Sequence, residues 1–291
     1  MAKFPQRGPG GQPPSRRRRA DAERPIPSPQ STTAWEAQAQ WYDQRQGEAG
    51  DDFHSQLVLP AVLRQLAVQP GQTVLDCCCG NGVLGRHLAS HEIRSIGIDA
   101  APSLIEAARE RAGALEEHRL GDAHRMLADQ LVAPASCDAA ALVLALQDLD
   151  PLDKVLRGCA HVVRPGGRLV IVLTHPCFHL PKAHHWGWDE EAGMMYRRLD
   201  GYALPRRIPI KTFPGRSSSA SSSSYHRPLA MYLNALGAAG WGVIGSEELC
   251  SHRRGSRGRK SAAEDAAHRE FPVFLLLTAQ RLEPALPARQ G

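Results

Sequence analysis

Between residues 34 and 282 the chain alternates short apolar runs with longer stretches in which apolar residues recur every three or four positions. The short apolar runs read as strands, and the period near 3.6 as amphipathic helices. Helices are expected over residues 34–43, where Trp35, Ala39 and Tyr42 share a face, and over 53–68, ahead of the Pro70-Gly71 break. Strands at 73–76, 95–99, 117–120, 137–144 and 168–173 then alternate with helices at 83–90, 103–114, 125–131 and 152–163. Strands separated by helical crossovers make a parallel sheet with both faces covered, so the fold class is α/β. The rhythm breaks after Leu173 into some fifty residues rich in Pro, Gly, His, Trp and Arg, closed by a serine run at 217–224. This stretch, 175–224, is expected to be an insertion or lid. A helix at 228–239, a strand at 242–248, a polar and basic loop at 251–265 and a final strand at 272–280 complete the pattern.

Composition sets outer limits on this picture. A chain of 291 residues with 42% hydrophobic residues can bury a sizeable core. Its longest apolar runs, such as 139–146, are far shorter than the roughly 20 residues a membrane-spanning helix needs, so no membrane partner is expected. The Pro-, Gly- and Arg-rich start carries no signal-peptide pattern, which makes the cytoplasm the expected compartment. The seven cysteines are irregularly spaced, three of them adjacent at Cys77, Cys78 and Cys79. That is neither a disulfide framework nor a metal ribbon, and no metal is expected.

The net charge of +5 comes entirely from residues 1–33, which hold seven cations against two anions and seven of the 22 prolines. Residues 1–33 are expected to be a disordered basic tail, 34–282 the folded domain, and 283–291 a second frayed tail. The remainder is balanced at 28 cations and 28 anions, which speaks against a polyanion groove. A local basic loop carries Arg253, Arg254, Arg257, Arg259 and Lys260.

The chemistry is concentrated in Asp76-Cys77-Cys78-Cys79-Gly80-Asn81-Gly82-Val83-Leu84-Gly85, a strand end, a glycine turn and a helix start. The spacing Gly80, Gly82, Gly85 is that of a dinucleotide-binding turn, in which a pyrophosphate sits on bare amides. Asp76, four residues before Gly80, would repel a pyrophosphate and suits a cationic ligand. Asp99 ends the second strand, where an acid accepts ribose hydroxyls in either kind of adenosine cofactor. Taken singly, each acid has an ordinary use as a helix cap or turn residue.

Asp76, Gly80 and Gly82 resemble the first motif of the class I S-adenosylmethionine-dependent methyltransferases, with Cys78 standing where that family has its first glycine. The resemblance covers roughly residues 35–282. It implies a doubly wound, Rossmann-like, seven-stranded, mostly parallel sheet with helices on both faces and an antiparallel last strand. It implies S-adenosyl-L-methionine as cofactor, held by Asp76, Cys78, Gly80, Asn81, Gly82, Asp99 and Ala100, with Asp122 and Ala123 at the adenine. The segment 137–149 resembles the family's fourth strand, where Leu142 would run past the cofactor and Gln147 would face the methyl. Val163-Arg164-Pro165-Gly166-Gly167 resembles its turn into the fifth strand.

The implied reaction is direct displacement of the methyl group onto a small-molecule acceptor. His175, directly after the fifth strand, is the first candidate for a base or for orienting the acceptor, amid His179, His184, His185, Trp186, Trp188 and Tyr196. Tyr42 and His54 are candidates for closing the pocket, the alternative being that Trp41 and Tyr42 only pack a helix onto the sheet. A nucleic-acid acceptor is disfavoured: Leu146-Gln147-Asp148-Leu149 is not the Pro-Pro-aromatic motif of base-amino methylation, and a second Pro-Cys to match Pro176-Cys177 is absent. A cofactor-binding module without catalysis is the remaining alternative.

Overall fold

The computed structural model describes residues 33–211 and 221–283. The expected tails, apart from Thr33 and Glu283, and residues 212–220 of the expected lid lie outside them.

Seven strands form the central sheet: β1 (Thr73–Cys77), β2 (Arg94–Asp99), β3 (Glu116–Leu120), β4 (Cys137–Val143), β5 (Val163–Thr174), β10 (Trp241–Cys250) and β11 (Pro272–Arg281). Their spatial order is β10-β11-β5-β4-β1-β2-β3, and only β11 runs antiparallel to its neighbours. The last strand in sequence is thus inserted between β5 and β10, and the expected mostly parallel sheet with an antiparallel last strand is what forms.

Alternation along the central strands explains why the sheet is covered on both sides. Leu169, Ile171 and Leu173 of β5, Ala140 and Leu142 of β4, and Leu275 and Leu277 of β11 enter one core. There they meet α5 (Leu152–Val162) and α6 (Leu229–Ala238) through Val155, Leu156, Cys159, Tyr232 and Leu236. Val170 and Val172, Ala139 and Ala141, and Phe274 and Leu276 point the other way. They meet α2 (Leu59–Leu66) and α3 (Val83–Ala89) through Leu59, Val62, Leu66, Leu84 and Leu88. A third cluster joins Ala39 of α1 (Ala39–Gln46) to Leu104 of α4 (Pro102–Arg111), with Trp35 and Tyr42 packed on it. One π-helical turn, His54–Val58, leads into α2.

The Pro-Gly-Gly turn lies inside β5 as a register shift opposite Cys137 and Ala139. Gly167 belongs there for space, since a Cβ would sit 2.4 Å from the Asp138 carbonyl oxygen.

Three expectations are corrected. Residues 125–131 are not a helix: Asp122 caps a single 3₁₀ turn, Ala123–Arg125, and turns follow, with Gln130 at φ +49°. The basic stretch 251–265 is not loop throughout, because α7 (Ser261–Glu270) begins within it. Three of its five cations are engaged: Arg253 pairs with Asp52, Arg259 with Glu190, and Lys260 lies over the Trp188 ring. The stretch after β5 departs from the strand-helix rhythm as expected, but as two hairpins: β6 (His184–Asp189) with β7 (Met194–Leu199), and β8 (Arg206–Lys211) with β9 (Ser221–His226). No helix among the described residues is long and apolar enough to cross a membrane.

Candidate functional site

A cavity of about 320 Å³ opens at the carboxyl ends of β1, β2 and β4. Beside β1 the strand order departs in both directions, to β2 on one side and β4 on the other, which is where open parallel sheets bind ligands. Cys78, Gly80, Asp99, Ala100, Asp122 and Ala123 line one wall, and Trp35 and Tyr42 cover it.

The turn after β1 leaves the strand through Cys78, at φ +64°, then passes Gly80 at +56° and Gly82 at +81° into α3. Two of these left-handed positions are glycine, which adopts them without steric cost. At Gly80 a Cβ would approach Cε1 of Tyr42 to 2.9 Å, so the bare backbone also lets the tyrosine ring lie on the turn. Below the turn, Gly82 and Gly97 make room for the buried His118 ring: a Cβ on Gly97 would lie 2.5 Å from His118 Nδ1.

Asp76 is 2% exposed, and its Oδ2 has no hydrogen-bond partner. Burial, and then the neighbouring Asp99, push its carboxyl up to about 7. An unpaired buried carboxylate oxygen beside a glycine turn is fitted by a ligand that brings a cation and N–H donors. Asp99 accepts Gly80 N–H at its Oδ2 and Ala101 N–H at its Oδ1, both at 2.9 Å, so the ends of β1 and β2 are tied together. Burial raises this carboxyl too, against the lowering effect of those amides. Asp122 both lines the cavity and caps the turn after β3, accepting His124 N–H at 2.9 Å.

Helix α1 is held over the site by polar contacts. Arg111 Nη1 and Nη2 reach the two oxygens of Asp43 at 2.6 and 2.8 Å, and Asn81 Nδ2 donates to Asp43 Oδ1 at 2.7 Å. Arg86 adds bonds to the carbonyls of Asn81 and Glu48. Asn81 therefore serves the lid over the turn, not the cavity surface. Tyr42, next to Asp43, is carried into the cavity, where burial and the charges of Asp99 and Asp76 raise its hydroxyl.

The structure leaves six of the expected residues out of the cavity lining, the buried Asp76 among them. Asn81 and Gly82 lie behind the turn. Leu142 is wholly buried in the core, and Val143, Leu144 and Ala145 line the wall in its place. Gln147 folds back, its Nε2 donating to the Leu144 carbonyl at 2.5 Å. His175 is 1% exposed, its ring 4.9 Å from that of Phe178 and its Nε2 3.1 Å from Glu248 Oε1, while its Nδ1 accepts Cys177 N–H. Burial lowers its basicity. These contacts make it a brace between β5 and β10, outside any reacting position. His54 likewise sits on Asp51 at 2.9 Å.

Reading the sequence missed Trp35, His124, Asp148, Arg207 and Tyr225, all of which line the cavity. Asp148 carried a signal, being a carboxyl shortly past the fourth strand as Asp122 is past the third. Arg207 and Tyr225 carried none, since only the pairing of β8 with β9 brings them to the cavity.

Comparison with known proteins agrees with this geometry. Residues 74–167 match the family model described as Methyltransferase domain. A ubiquinone biosynthesis O-methyltransferase of Xylella fastidiosa is 36% identical over 104 residues, 35% of this chain and 41% of that relative. A 2-phytyl-1,4-naphtoquinone methyltransferase of Synechococcus elongatus is 35% identical over 113 residues, 38% of this chain and 48% of the relative. The chain thus matches less than half the length of these curated relatives. The crystal structure of an S-adenosylmethionine-dependent methyltransferase from Mesorhizobium loti superposes with a TM-score of 0.61 at 25% identity, covering 76% of this chain and 96% of that one. Residues 74–167 thus match a methyltransferase domain, and the chain is similar in fold to an S-adenosylmethionine-dependent methyltransferase.

Proposed function

We propose that the chain binds S-adenosyl-L-methionine in this cavity and directs its methyl group to a small-molecule acceptor. The observation that carries the proposal is the orphaned, buried Asp76 oxygen beside the Gly80 turn, a site for a cation and unsuited to a pyrophosphate. Asp76 and the turn would hold the amino-acid part of the cofactor, Asp99 the ribose, and Asp122 with Ala123 the adenine. When bound, the cofactor supplies a methyl group on a sulfonium, a good leaving group. The protein's part is to align the acceptor, exclude water with Trp35 and Tyr42, and accept any proton released.

The acceptor is read as a small molecule because Arg207, Ser222, Ser223 and Tyr225 of β8 and β9 border the cavity and residues 34–291 carry balanced charge. The relatives named for ubiquinone and naphtoquinone methylation support an organic acceptor of that size. All seven cysteines are free, which fits the reducing cytoplasm as the working compartment.

Calorimetric titration of the full chain with S-adenosylhomocysteine, with NAD as control, tests the reading. Micromolar binding of the first and none of the second is expected. The reverse would make the glycine turn a dinucleotide site and sink the proposal.

A further inference from the structure

Beyond Asp99 and Asp122, the cavity is lined by a carboxyl just past β4 that the proposed cofactor contacts leave unused. Asp148 closes the 3₁₀ turn Leu146–Asp148 after β4 and lines the cavity with Tyr225 and Ser223 of the hairpin. The chain takes an uncommon route to put it there. Leu144, at the end of β4, has φ +52°, a left-handed conformation that a branched side chain seldom adopts. Such strain persists where surrounding contacts over-determine it, and it concentrates at functional sites.

The contacts that hold this turn are present on both sides of Asp148. Asp148 N–H donates to the Ala145 carbonyl at 2.8 Å, and Gln147 fastens the Leu144 carbonyl. Beyond it, the 5% exposed Arg227 grips both the Leu149 carbonyl, at 2.8 Å, and Asp150 Oδ1, at 2.7 Å. The nearby arginine is thus taken by Asp150, while Asp148 is hydrogen-bonded to Ser224. The other charged or titratable groups of the cavity are Tyr42, Cys78, Asp99, Asp122, His124, Asp150, Arg207 and Tyr225. Tyr232 of α6 also senses Asp148.

We propose that Asp148 is the general base of the reaction and that the acceptor is a hydroxyl compound, an aromatic one given the Trp35, Tyr42 and Tyr225 rings around the cavity. The inference rests on the reading of the cavity as a methyl-transfer site. An oxygen lone pair of the acceptor forms the new C–O bond as the S–CH₃ bond breaks and leaves its electron pair on sulfur. The acceptor's proton passes to Asp148 Oδ and then to solvent. Burial places this carboxyl at about 7, where a base both holds and releases a proton near neutrality.

The test uses catechol as probe acceptor, the full chain and Asp148→Asn. At pH 7 the variant should methylate catechol at least ~100-fold more slowly while S-adenosylhomocysteine affinity stays within about threefold. Its rate should recover as pH approaches ~10, where the phenol ionises unaided. In ligand-free protein labelled with carbon-13 aspartate, two carboxyl resonances should titrate near 7, one lost in Asp148→Asn and the other in Asp76→Asn. An unchanged rate, a loss that is equal at every pH, or a wild type that binds S-adenosylhomocysteine but does not methylate catechol would each overturn the assignment. Failure to bind S-adenosylhomocysteine would sink the cofactor reading, and this one with it.

Discussion

Asp76 illustrates how a single residue trades stability for binding. Its carboxyl stands at about 7 in the folded chain against 3.8 for the ordinary side chain. Between those values the folded state holds a proton that the unfolded state has released, so stability falls as pH rises from about 4 to about 7 and is lowest above that. At ~1.4 kcal/mol per unit the loss is at most about 4 kcal/mol. Asp76→Asn should therefore unfold at higher temperature than wild type at pH 8 and at nearly the same temperature at pH 4. It should bind S-adenosylhomocysteine at least ~10-fold more weakly. Thermal scans at the two pH values and one titration check this. What the sequence could tell is bounded at the same scale: Asp99 and Asp122 were legible as cavity-lining residues because an acid at a strand end before a turn or a cap is a local pattern. Leu142, Gln147 and His175 were not, because the side a residue faces at a strand end turns on one residue of register and, here, on the left-handed Leu144.

Helix α1 is a polar element of eight residues, Ala39–Gln46, too short to persist by itself. It stays over the cofactor cavity because Tyr42 packs on the glycine turn and Asp43 receives both Arg111 and Asn81. Charge-assisted bonds of this kind contribute about 1.5–3 kcal/mol each before exposure weakens them. Asp43→Ala should thus loosen the helix without unfolding the sheet: faster tryptic cleavage after Arg45, and roughly tenfold weaker S-adenosylhomocysteine binding, read by proteolysis and calorimetry. Elements of this kind were the least legible. Helix α7 hid behind the Arg-rich run that precedes it, although Ser261–Glu270 is rich in the helix formers Ala and Glu. Its start is secured by contacts between residues well apart, Asp265 accepting Gly255 N–H and Glu264 accepting Ser256 N–H. The hairpins after β5 were visible only as a break in rhythm, since serines and basic residues carry little strand signal by themselves.

At the level of the whole molecule, the alternation of apolar strands with helices sufficed to read a covered, mostly parallel sheet, and the order β10-β11-β5-β4-β1-β2-β3 puts the cavity where that order switches. A ligand seated there bridges β1, β2 and β4 and binds only the folded chain. At one hundred times its dissociation constant, S-adenosylhomocysteine should stabilise the protein by about 2.7 kcal/mol and raise the melting temperature by about 5–10 °C, with no shift from NAD. Differential scanning fluorimetry reads this directly. The cavity's two walls also come from different lengths of gene. On the proposed reading, residues 33–124 and the end of β4 supply the cofactor side, while Asp148 with Arg207, Ser222, Ser223 and Tyr225 supplies the side that would face the acceptor. The β8–β9 hairpin replaces no strand of the sheet, so on that reading changes within it would alter the acceptor while leaving the donor side of the cavity in place.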